Sequence, residues 1–143
     1  MQNINPSYAM EIIEWQPEFS VNNLRIDEEH QNIIRITNNL ILHSNAAVSS
    51  EIISETLTEL IKYYKTHFKD EENFLEEKKY PKLEHHRELH NKFKYDVAMF
   101  SKDIIDRDKT VPVRMVKFMT EWILNHLTQE DMDYKKYLEN PVG

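Results

Sequence analysis

Apolar residues recur along this chain at alternating spacings of three and four, the period at which a helix buries one face. The first stretch, Leu24 to His43, turns Ile26, His30, Ile33, Thr37 and Leu40 to one side. A turn-rich SNAAVSS segment over 44–50 follows, and Ser50 is placed to cap a second helix reaching about Lys78. Its stripe is Ile53, Leu57, Leu60, Tyr64, His67, Glu71 and Phe74. Tyr80-Pro81 then interrupts the pattern and puts proline at the first position of a third helix, which runs to about Asp106. Leu83, His86, His90, Phe93, Val97, Phe100 and Ile104 form its inward face. Asp108 or Thr110 can cap a fourth helix with Pro112 just inside its start, and Met115, Met119, Trp122 and His126 line that stripe.

Four long helices with short connections predict an all-α fold, an antiparallel up-down-up-down four-helix bundle. Residues 1–22, carrying Pro6 and Pro17, read as an N-terminal arm that Trp15 and Phe19 pin to the bundle. The bundle spans 24–134, Tyr134 to Leu138 predicts a short separate C-terminal helix, and 1–143 reads as a single domain.

Composition narrows the function. The only glycine is Gly143, so glycine loops that cradle phosphates are excluded. A net charge of -7 without a compact basic run argues against nucleic acid. The absence of cysteine removes disulfides, thiolate metal sites and thiol nucleophiles. No segment approaches the roughly 20 apolar residues of a membrane span, and no leader pattern is visible, so a cytoplasmic protein without a membrane partner is expected. Oligomeric state is not legible, with a monomer slightly favoured.

The stripes themselves carry the chemistry. Each of the four contains imidazole: His30, His67, His86 with His90, and His126. Glu71 lies one turn from His67. One inward histidine is readily satisfied by a protein acceptor, but five, with an acid, in a stripe otherwise made of Leu, Ile, Phe and Met are not. Metal cations would satisfy all of them together. Imidazole with few carboxylates suits iron, copper, zinc or nickel. Of the two other histidines, His43 ends its helix and His85 lies about 100° off the stripe, so both read as surface residues. Asp131 stands five residues after His126, about 140° around a regular helix. It is either a ligand or an exposed acid of the run Glu130-Asp131-Met132-Asp133, and as a ligand it requires the helix to end or widen into a π-turn between Leu127 and Asp131.

The runs Ile26-Asp27 before His30, HFKDE, YPKLEHHRELHNKF and WILNHLTQED resemble the bacterial hemerythrins, over about Trp15 to Tyr137. That resemblance implies two iron ions bridged by an oxo or hydroxo group. His86, His90 and His126 would hold one iron, His30 and His67 the other, and Glu71 with Asp131 would bridge them. It also implies one open position, on the two-histidine iron, with Ile33, Trp122, Ile123 and Leu127 as an apolar wall for dioxygen. None of those four is a general acid, so the expected function is reversible dioxygen binding for carriage, storage or scavenging, with no catalytic residue. The alternative readings are a di-iron redox enzyme or sensor acting on oxygen, peroxide or nitrogen oxides, and a bundle whose metal serves stability or iron handling. Asn22, Glu29 and Lys79 depart from residues frequent in the family, which bears on loops and on groups behind the ligands.

Overall fold

In a computed structural model of the chain, residues 12–43 and 49–141 are described; the outer arm, 44–48 of the SNAAVSS turn and the last two residues lie outside that range. Four helical rods pack as the sequence predicts: α1 (Leu24–His43), α2 (Ser50–Glu77), α3 (Leu83–Ile105) and a last rod beginning with α4 (Val111–Trp122). Each packs against its neighbour in sequence, and α1 also meets α4, which closes the bundle. A 3-10 turn over Pro17–Phe19 precedes α1, and Trp15 and Phe19 pack partly buried on the core as expected. Asn38 adds a tether, since its side-chain amide exchanges two 2.7 Å hydrogen bonds with the backbone of Ile13.

Helix ends differ from the expected boundaries in small ways with clear causes. Ser49, not Ser50, caps α2, its hydroxyl accepting from the Ile52 N–H at 3.2 Å. Pro81 sits in the turn before α3, which begins at Leu83. Thr110 occupies the N-cap position of α4, but its hydroxyl is engaged by Asp108 at 2.7 Å and makes no capping bond.

The last rod takes the widened form: α4 passes through a π-helical segment (Ile123–Glu130) into the short C-terminal helix, α5 (Asp131–Glu139), which begins three residues before Tyr134. Trp122, Ile123, Glu130 and Asp131 all keep right-handed helical dihedrals, so the chain never breaks. Tyr134 is thereby carried back into the interior, where it is fully buried.

Helices α2 and α3 each close on a left-handed residue that is not glycine, Lys79 at φ 55° and Arg107 at φ 60°. At the first, the Tyr80 N–H reaches the Leu75 carbonyl and the Lys79 N–H reaches Glu76, both at 3.0 Å. The buried Tyr80 and Leu75 also pack in one cluster, completing the Schellman pattern. A side chain in this region is disfavoured by about 1–2 kcal/mol, partly offset by the extra chain entropy glycine loses on folding. Lys79→Gly is therefore expected to stabilise the protein by about 0.5–1 kcal/mol, read as a higher urea midpoint.

The buried apolar residues form two clusters. The larger contains Ile33, Leu60, Tyr63, Phe68, Phe93, Met119, Ile123 and Leu127 among others; the smaller is Val21, Ile26, Leu75, Tyr80 and Tyr134. Between them lies a layer of buried polar side chains.

Candidate metal centre

That layer consists of the seven residues singled out in the sequence. His30, His67, Glu71, His86, His90, His126 and Asp131 are each no more than 3% exposed. Helical phase places six of them. Asp131 arrives by a different device: its N–H bonds to the carbonyl of His126, five residues back, which is the π-turn its spacing demanded. The widened turn brings Asp131 round to the face that His126 occupies. His43 and His85 are exposed as expected, the first against the Asn39 carbonyl at 2.7 Å and the second 3.2 Å from Glu130.

The two carboxylates sort the imidazoles. Glu71 Oε1 lies 2.7 Å from His86 Nε2, 3.0 Å from His90 Nε2 and 3.9 Å from His126 Nε2, while Oε2 lies 3.1 Å from His30 Nε2 and 3.5 Å from His67 Nε2. Asp131 repeats the division. Its Oδ1 is 3.0 Å from His86 Nε2 and 3.2 Å from His126 Nε2, and its Oδ2 is 3.1 Å from His30 Nε2. Two groups of donors result, Glu71 with His86, His90 and His126, and Glu71 with His30 and His67, each with ligand atoms within 4.8 Å of one another.

Protein hydrogen bonds do not account for this convergence. Both oxygens of Asp131 and the Nε2 atoms of His67 and His126 are buried, yet among the described residues none has a partner in hydrogen-bond geometry. Orphaned polar atoms of this kind are costly, and here they face one another. A cation between them is the natural partner. The set of five imidazoles and two carboxylates fits borderline first-row transition ions and suits calcium or magnesium poorly.

Electrostatics without metal point the same way. Burial works against charge on His30 and His86, but Asp131 and Glu71 outweigh it and push both up to about 10. His67 is also raised despite its burial, mainly by the Glu71 charge and the hydrogen bond to Glu29. In His90 burial prevails and its pKa falls. Burial works against ionisation of Glu71 and Asp131 too, yet the surrounding imidazoles hold both well below the usual carboxylate range.

Several supporting groups escape a reading by sequence alone. His67 Nδ1 donates to Glu29 at 2.8 Å and His90 Nδ1 to Glu72 at 2.7 Å. Each carboxylate fixes a tautomer that leaves Nε2 facing the cluster. Each also supports one imidazole of a different group. The buried Tyr134 hydroxyl donates to Glu71 Oε2 at 2.9 Å, fixing the rotation of that carboxylate. The phase of α2 is turned from expectation as well: Tyr63 is buried and stacks on His67 at 5.0 Å, whereas Tyr64 is half-buried. Glu29→Ala is expected to weaken metal binding about 10–100-fold, read by competition with a chelator.

A family model described as the hemerythrin HHE cation-binding domain matches residues 24–138. The chain belongs to the hemerythrin family. It is 30% identical over 124 residues to a bacteriohemerythrin of Clostridium acetobutylicum, covering 84% of this chain and 96% of that one. A bacteriohemerythrin of Campylobacter jejuni is 30% identical over 123 residues, 84% of this chain and 90% of its own. A myohemerythrin of Theromyzon tessulatum is 28% identical over 122 residues, 85% and 90% of the two chains. Membership in the hemerythrin family indicates a function in non-heme iron binding related to oxygen, and the histidine and glutamate groups fit a metal site. Among the described residues no helix is long and apolar enough to cross a membrane.

Proposed function

We propose that this chain is a non-heme di-iron protein that binds dioxygen reversibly and catalyses no net reaction. The observation that carries the reading is the division of labour in each carboxylate: the two oxygens of Glu71, and the two of Asp131, address different imidazoles. One acid shared in this way suits two neighbouring cations better than one. In this reading His86, His90 and His126 hold one iron, His30 and His67 the other, and Glu71 and Asp131 bridge the pair with an oxo or hydroxo group. Ferrous iron bound there supplies electrons that dioxygen can borrow and return.

The protein's part is to keep that exchange reversible. Ile33, Ile123 and Leu127 belong to the larger apolar cluster and Trp122 packs against it, which gives dioxygen a dry wall. The group of His30 and His67 offers fewer imidazoles than the other, so an ion held there would have room for a further ligand. Exclusion of water and of mobile acids there disfavours protonation and loss of reduced oxygen. The two-carboxylate set is also less anionic than the four-carboxylate sites of ferritin-like di-iron proteins, which disfavours the redox-enzyme reading. In this reading the chain is a single-domain cytoplasmic carrier, store or scavenger.

Anaerobic loading with ferrous iron, metal analysis and optical spectra test the proposal. Two irons per chain and a visible charge-transfer band that comes with air and goes on deoxygenation are expected. Irreversible oxidation with turnover of a reductant or peroxide would establish the enzyme in its place.

A further inference from the structure

The wall on the Ile33 side of the cluster contains two hydrogen-bond donors. Tyr63, 4% exposed, lies one turn before His67 on α2 and stacks on that imidazole with an interplanar angle of 21°. Trp122, one turn before His126 on the last rod, stacks on its imidazole at 3.9 Å and 10°. The two rings therefore cover imidazoles from the two different groups, and both do so from the same end of the bundle. Phe93 touches each of them, at 6.2 Å and 4.6 Å between ring centroids.

Their polar atoms approach each other without closing a hydrogen bond. The Trp122 N–H is directed at the Tyr63 hydroxyl, yet it is buried and closes no hydrogen bond among the described residues. An indole N–H can only donate, and a phenol can donate while it accepts. A buried donor left open is unfavourable unless something meets it, and apart from the Tyr63 hydroxyl the cluster against which Trp122 packs, with Ile33, Leu60, Phe93 and Ile123 in it, is apolar. A surface cavity of about 250 Å³ has Trp122 and His126 in its lining, with Leu89, Phe118, Asn125 and Glu130, while Tyr63 is not part of it.

We infer that the Tyr63 hydroxyl and the Trp122 N–H form a polar ceiling over the cluster that holds a small hydrogen-bond-accepting ligand of two or three atoms. The inference rests on the di-iron reading and deepens it, because it gives dioxygen or a small anion specific donors where the sequence pattern showed only apolar wall. It also separates these positions by role: both are ligand-positioning residues and neither contributes to holding metal.

Azide is a suitable probe, titrated optically into the iron-loaded, oxidised protein. Tyr63→Phe keeps the ring on His67 and removes only the hydroxyl, so azide affinity is expected to fall about tenfold at unchanged iron content. Trp122→Phe is expected to weaken azide in the same direction, and Tyr64→Phe, which alters a half-buried ring outside the ceiling, to leave it unchanged. Full iron loading with azide affinity in Tyr63→Phe within about twofold of the parent overturns the inference. So does failure of Tyr63→Phe to take up iron that the parent binds, since the tyrosine is then structural. A parent protein that binds no iron at all instead defeats the di-iron reading itself.

Discussion

Glu71→Gln is expected to abolish paired metal binding and to leave the metal-free protein about 3–5 kcal/mol less stable. Glutamine preserves the volume but replaces one oxygen by an amide nitrogen that cannot coordinate, and whichever way it turns, one imidazole group loses its acceptor. The fully buried Glu71 stands within 3.9 Å of all five cluster histidines and accepts from Tyr134, so no other single substitution disturbs as many groups. Without the carboxylate, the protons on His30 and His86 lose one of their two counter-charges, and His67 and His90 lose the one acid of the pair that stands against their Nε2 atoms. Glu72→Gln is the comparison, because Glu72 is only partly buried and supports His90 alone. Its expected cost is weaker metal binding with little loss of fold. Urea denaturation of the metal-free proteins and metal analysis of the loaded ones give the two readouts. If Glu71→Gln still holds two metals per chain, the bridging assignment is wrong.

The ease with which this cluster is read from sequence varies with how each residue is held. His30, His67, Glu71, His86, His90 and His126 sit on uninterrupted helical stripes, so spacings of three and four are enough to align them. Asp131 was legible only as a misfit, five residues from His126, and the i to i+5 backbone bond is the resolution of that misfit. The same π-turn sets where the C-terminal helix begins. Because the rod continues through it, Tyr134 returns to Glu71 three residues after Asp131. Tyr63 and Tyr64 precede His67 by four and three residues, and either spacing is compatible with an inward stripe. Only the stacking on His67 decides for Tyr63. Glu29 and Glu72 resemble the many solvated acids around them, and their roles depend on partners contributed by other helices, which no local pattern encodes.

Metal loading of this protein at pH 7 is expected to release at least two protons per chain and to tighten steeply with pH. In the metal-free state His30 and His86 titrate at about 10, far above the ordinary histidine value of 6.5, because Asp131 and Glu71 outweigh their burial. Both are protonated at neutral pH, and a cation must displace those protons to reach Nε2. Apparent affinity should therefore rise about a hundredfold per pH unit while both remain protonated, flattening as pH nears 10. The stability of the metal-free chain runs the other way. A raised imidazole pKa contributes stability in full below 6.5 and loses it as pH climbs through about 10. The depressed carboxyls of Glu71 and Asp131 contribute above their unfolded values and lose that contribution as acid protonates them in the folded state. Metal-free protein should thus weaken toward alkaline pH over the same range in which loading strengthens, so that stabilisation by metal widens with pH. Calorimetric loading in buffers of different ionisation enthalpy counts the protons directly. A count near zero at pH 7 would mean that the imidazoles are already neutral before metal arrives, and the carboxylate pair would then not be the force that assembles them.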